Sequence, residues 1–165
     1  MRYSIDQTTQ MEQAEFVSLF GAVFEETPEI AEQAWAARPF ADVADLHGAM
    51  VAVVEQMRLD EQLALIRAHP ELGSKAKMAD ASVQEQASTG LDRLSPELYE
   101  RLQALNATYQ EKFGFPFVMA VKGRSRDSIF AALEARLKNE RVDEIARSLH
   151  EITQIARFRL DDLLQ

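Results

Sequence analysis

The run VDEIARSLHEITQIARFRLDDL, residues 142–163, decides the fold. Its apolar residues Ile145, Leu149, Ile152, Ile155, Ala156, Leu160 and Leu163 recur at three- and four-residue steps, the signature of one buried face of an α-helix. The spacing predicts the longest helix of the chain and a central packing element. Arg157 and Arg159 lie two apart on it, so they point in different directions and take different roles. Arg159, between Phe158 and Leu160, falls near the apolar face, where a buried guanidinium is costly without an anion or acceptor. A carboxylate ligand, Glu85 or another acidic residue would serve equally well.

Working outward, the same period recurs almost everywhere. Met11, Ala14, Phe16, Val17, Phe20, Val23 and Phe24 fit it, as do Leu46, Met50, Val53, Val54 and Met57. Start signals precede further helices: Thr27-Pro28-Glu29 before residues 30–37, Ser95-Pro96-Glu97 before 98–113, and Ser125 before 129–137. Pro39, Pro70 and Gly114 mark stops. The exception is residues 113–123, FGFPFVMAVKG, a short apolar run bounded by Gly and Pro that reads as extended or irregular. It has no partner strand in the sequence, so it is expected to be a buried connector whose backbone N–H and C=O groups need other partners. A polar ligand, or neighbouring side chains and water, would satisfy them equally well. The expected fold is all-α: a single-domain bundle, residues 1–165, of about seven or eight helices with one short extended buried segment.

At 165 residues the chain suits one sizeable core rather than two independent domains. With 27 acidic against 18 basic side chains its net charge is −9, which disfavours nucleic acid as a partner while allowing a local anion pocket around Arg67, Lys75 and Lys77. Cysteine is absent, which excludes disulfides, thiolate metal sites and a cysteine nucleophile. No window approaches the apolar length of a membrane span, and the first residues lack the apolar core of a signal peptide. A cytoplasmic location is the expectation. Walker, Gly-x-Gly-x-x-Gly, His-Glu-x-x-His and Gly-x-Ser-x-Gly patterns are all missing.

Chemistry concentrates between Arg67 and Leu91. The step His69-Pro70 should end the preceding helix, because a proline disfavours helical backbone at the residue before it. That leaves an imidazole, the side chain best suited to proton transfer near neutrality, at a helix end. His47 and His150, inside predicted helices, read as structural or surface residues. Ser82-Val83-Gln84-Glu85 has the spacing of a helix capping box, the favoured reading on local physics alone. The competing reading is that Ser82, Glu85 and Gln86 begin a helix that holds a urea-like or carboxylate ligand. Gln86 discriminates, since a capping box needs no amide after its Glu.

Four segments in order carry a resemblance: His69-Pro70-Glu71-Leu72-Gly73; Ser82-x-x-Glu85-Gln86 with Gly90-Leu91; Phe113-Gly114-Phe115-Pro116-Phe117-Val118; and Ile155-Ala156-Arg157-Phe158-Arg159-Leu160. Together they are similar to the signatures of the 2-oxo-4-hydroxy-4-carboxy-5-ureidoimidazoline (OHCU) decarboxylase family, over nearly the whole chain. The resemblance implies the last step of uric acid degradation to (S)-allantoin, an all-helical fold, no cofactor or metal, and a homodimer. It implies His69 as the catalytic residue with Glu85 orienting it or the substrate hydroxyl. Pro70, Ser82, Glu85, Gln86 and Arg159, with the backbone of Phe117, Val118 and Met119, would bind the ureidoimidazoline. Gly73-Ser74 departs from the Ala-Gly more usual in that loop. Two other classes remain: a non-catalytic helical module binding an anionic or ureido molecule, and a purely structural domain in which Ser82 and Glu85 are caps only.

Overall fold

Ser4, Asp42, Ser95 and Ser125 each accept a hydrogen bond from the backbone N–H three residues on, and each starts a helix. The computed structural model describes residues 1–74 and 80–165. Among the described residues there are nine α-helices and no strand: α1 Ile5–Gln10, α2 Gln13–Phe20, α3 Glu29–Ala34, α4 Val43–Gln56, α5 Leu59–Ala68, α6 Asp80–Ala87, α7 Pro96–Phe113, α8 Arg126–Arg136 and α9 Arg141–Leu163. A 3₁₀ turn, Trp35–Ala37, follows α3. The all-α class is as expected, with slightly more helices than seven or eight. None of the described helices is long and apolar enough to cross a membrane.

Two compact units divide the chain, Met1–Leu65 with Thr153–Gln165, and Ile66–Ile152. In the first, α3 packs against α2 and α4. Phe16 sits with its ring centroid 4.8 Å from Phe20 and 6.0 Å from Phe40, and Ile30, Leu46 and Met50 are fully buried. Each such side chain contributes about 1.5–3 kcal/mol on leaving water. Tyr3 pairs with the chain's other end, donating to Leu163 O and accepting from Gln165 N at 3.0 Å each. Helix α2 stops at Phe20, shorter than the apolar spacing to Phe24 suggests. Val23 and Phe24 are buried from the turn that follows.

In the second unit α7 packs against α8. Pro96 stands at the start of α7 and Gly114 ends it in left-handed backbone at φ 80°, a conformation that favours glycine. Tyr109, Phe113, Phe115 and Phe117 form one aromatic cluster, with centroid separations of 4.5–6.0 Å. Residues 115–121 are buried without helix or strand, in keeping with the buried connector expected from the sequence.

Candidate active site

Helix α5 ends at Ala68, one residue before His69. His69 is buried, 6% exposed, and its N–H closes the last turn onto Ile66 O at 3.2 Å. Pro70 follows, half-buried. The loop beyond is held by two side chains from elsewhere in the second unit. Asn106, buried on α7, donates its amide to Leu72 O at 3.0 Å, and Gln86 Oε1 accepts the N–H of Gly73 at 2.8 Å. Gly73 itself has φ 71°, and a Cβ there would lie 2.6 Å from Leu102 Cδ2. Only glycine fits that turn without strain. Lys75 and Lys77, grouped near His69 in the sequence, lie outside the described residues.

Helix α6 turns Ser82 and Gln86, four residues apart, to one buried face, while Glu85 is partly exposed. The capping-box reading of Ser82 does not hold. The helix already runs from Asp80, which puts Ser82 within its first turn rather than at its cap. At the other end Ser88 Oγ donates to Glu85 O and Thr89 Oγ1 to Gln86 O, both at 2.7 Å, closing terminal carbonyls. A cavity of about 530 Å³ opens beside this unit, lined by Gly73, Ser74, Gln86, Leu91 and Tyr99 among others. It takes Gln86 from the candidate set. His69 and Ser82 are not among its described lining residues.

Phe117, Val118 and Met119 are buried in the extended run. Three arginines take carbonyls in and beside it: Arg141 Nε donates to Phe113 O at 3.1 Å, Arg67 Nε to Gly114 O at 3.1 Å, and Arg136 Nη1 to Val118 O at 2.7 Å. Neighbouring side chains therefore meet part of the backbone's demand. No hydrogen bond among the described residues engages the N–H groups of Phe117, Val118 or Met119.

Arg136 and Glu144 are residues that sequence reasoning passed over. Glu144, completely buried, also accepts from Tyr109 Oη and Asn139 Nδ2. Burial works against its ionised form, but hydrogen bonds from Arg136, Tyr109 and Asn139 prevail and hold the carboxyl below the usual range. Burial, with the bond to Glu144, pushes the Tyr109 phenol well above its usual value. One signal was available. Asn106 and Tyr109 fall on the stripe of α7 that buries Leu102 and Phe113, and polar groups on an apolar face need built partners.

Arg159 belongs to the first unit. It is buried, and its guanidinium donates to Val23 O at 3.2 Å and to Glu25 Oε1 at 3.0 Å, so Glu25 supplies an acidic partner there. Arg157 is partly exposed and pairs with Asp161 at 3.0 Å, the divergent roles that their spacing predicts. His47 Nε2 lies 2.7 Å from Thr153 O and His150 is exposed, consistent with structural and surface roles.

The family model described as OHCU decarboxylase matches residues 9–161. This chain belongs to the OHCU decarboxylase family. Membership places it among the carboxy-lyases. It is 43% identical over 162 residues to the 2-oxo-4-hydroxy-4-carboxy-5-ureidoimidazoline decarboxylase of Halalkalicoccus jeotgali, covering 98% of this chain and 92% of that one. It is also 43% identical to a uric acid degradation bifunctional protein of Bacillus subtilis, over 98% of this chain and 33% of the longer relative. A crystal structure of (S)-allantoin synthase is similar with a TM-score of 0.79 at 25% identity, over 98% of this chain and 54% of that one.

Proposed function

We propose that this OHCU decarboxylase family member removes CO₂ from 2-oxo-4-hydroxy-4-carboxy-5-ureidoimidazoline in uric acid degradation and delivers a proton to one face, giving (S)-allantoin. The bond between Gly73 N–H and Gln86 Oε1 carries the reading, because it ties the His69 loop to the helix that bears Ser82 and Glu85. Loss of CO₂ from the ring carbon bearing the hydroxyl leaves an electron pair that the adjacent ring C=N accepts. The substrate thus supplies its own electron sink. The protein's work is orientation, charge stabilisation and proton delivery.

In this reading His69 transfers the proton and Glu85 orients it or the substrate hydroxyl. Pro70, Ser82, Gln86 and the backbone of Phe117, Val118 and Met119 bind the ring and ureido groups. Buried N–H groups in an extended run suit the oxygens of such a ligand. Arg159, oriented by Glu25 and the Val23 carbonyl, is assigned to polar groups of the substrate. On the family resemblance we also read residues 1–165 as a single domain that works without cofactor or metal, as a cytoplasmic homodimer. The continuous match over 9–161 supports the single domain.

The test generates the substrate in situ from urate and follows circular dichroism with wild type and His69→Ala. Rapid appearance of (S)-allantoin with wild type, lost in a variant that still melts cooperatively, is the expected result. Slow racemic decay unchanged by wild type would put the non-catalytic binding module first.

A further inference from the structure

We propose that Arg136, locked by Glu144, is a positioning residue that sets the direction of the Met119 N–H toward substrate; this rests on the decarboxylase reading above. Arg136 ends α8 and is 7% exposed. Its Nε donates to both oxygens of Glu144 at 3.2 and 3.0 Å, its Nη2 donates to Ser148 Oγ at 3.2 Å, and its Nη1 holds Val118 O at 2.7 Å. The guanidinium also lies over the Phe117 ring, 4.4 Å from its centroid. One side chain thus grips two consecutive residues of the extended run.

The peptide between Val118 and Met119 is planar and trans, so its N–H points opposite to its C=O. A guanidinium fixed on Val118 O therefore aims the Met119 N–H away from Arg136. That N–H is buried and engaged by no described residue. Stability alone does not call for an ion pair at this place. Desolvating two charges costs several kcal/mol each, and well-packed apolar residues in place of a buried ion pair are often no worse. What an apolar pair cannot do is hold a carbonyl in one direction, and a donor held in advance of reaction is the kind that stabilises developing charge. Tyr109 and Asn139, both bonded to Glu144, keep the carboxylate from swinging away from Arg136.

The experiment measures background-corrected initial rates, KM, product enantiomeric excess and thermal melting for wild type, Glu144→Gln and Arg136→Lys. Loss of a well-oriented bond to a charged group corresponds to about a tenfold or larger effect. Folded variants are expected to show a KM raised by about that factor, with a lowered excess of (S)-allantoin. A role in folding alone would move neither quantity in the folded fraction. Wild-type KM and enantiomeric excess in folded variants would overturn the inference and leave the decarboxylase reading intact. Failure of both variants to fold would assign the network to stability and also overturn it. An inactive wild type would sink the decarboxylase reading itself, and this inference with it.

Discussion

Gln86 and Gly73, thirteen residues apart, are joined by a hydrogen bond from the backbone of one to the side chain of the other. The amide of Gln86 thereby serves the loop after His69 in addition to any ligand. Replacing Gln86 by Leu leaves the Gly73 N–H without that acceptor, a cost of about 1–3 kcal/mol. Gln86→Glu keeps an acceptor oxygen. The expected outcome is a clear loss of urea-unfolding stability in Gln86→Leu, a smaller one in Gln86→Glu, and a fall in (S)-allantoin formation in both. Equal stability of Gln86→Leu and wild type would remove the bond from the account.

Gly73→Ala is a sharper probe of the same loop. Left-handed backbone costs a non-glycine residue about 1–2 kcal/mol, before the collision of the new Cβ with Leu102 is counted. Denaturant unfolding should register at least that loss. Gly48→Ala, where a Cβ meets nothing within 4 Å, is the control and should be neutral or stabilising.

Glu25 holds the buried Arg159 in the first unit. Truncating one partner of a buried ion pair strands the other's charge, typically at about 3–5 kcal/mol. Glu25→Ala should therefore lower the melting temperature far more than Asp161→Ala, whose partner Arg157 is partly exposed and whose pair is worth about 1 kcal/mol or less. Comparable losses from the two would contradict the burial argument.

Two titrations follow from the Tyr109–Glu144 contact. The Glu144 carboxyl is held below its usual range, so it contributes stability above the unfolded value of about 4.3. That contribution disappears as pH falls through the lower native value, and Glu144→Gln should flatten the acid limb of the stability curve. Tyr109 runs the other way. Its pKa is raised, so its contribution is complete below an unfolded value of about 10 and is lost only as pH rises through the higher native one. The phenolate absorbance belonging to Tyr109, identified by its absence in Tyr109→Phe, should emerge in alkali together with unfolding and not before.

Helix ends were the most legible part of the sequence, because proline, glycine and capping serines act within a few residues. Ser95-Pro96, Ser125, Pro70 and Gly114 all mark observed boundaries. Helix α1 escaped notice, although Ser4 and Gln7 form a reciprocal capping box, since the segment is too short to show apolar periodicity. Ser82 and Glu85 show the reverse: a capping spacing that falls inside a helix rather than at its start. The residue types of the candidate site could be named from their chemistry and from resemblance. The Gln86–Gly73 bond, Asn106 on Leu72 O and the Arg136–Glu144 pair could not, because they depend on tertiary approach that no local pattern encodes.

Arginines 67, 136 and 141, which take the carbonyls of Gly114, Val118 and Phe113, share a property beyond their geometry. A guanidinium carries N–H donors and no acceptor. The anchors of this run can therefore answer carbonyls but never N–H groups, so the backbone donors of Phe117, Val118 and Met119 are left to partners of another kind.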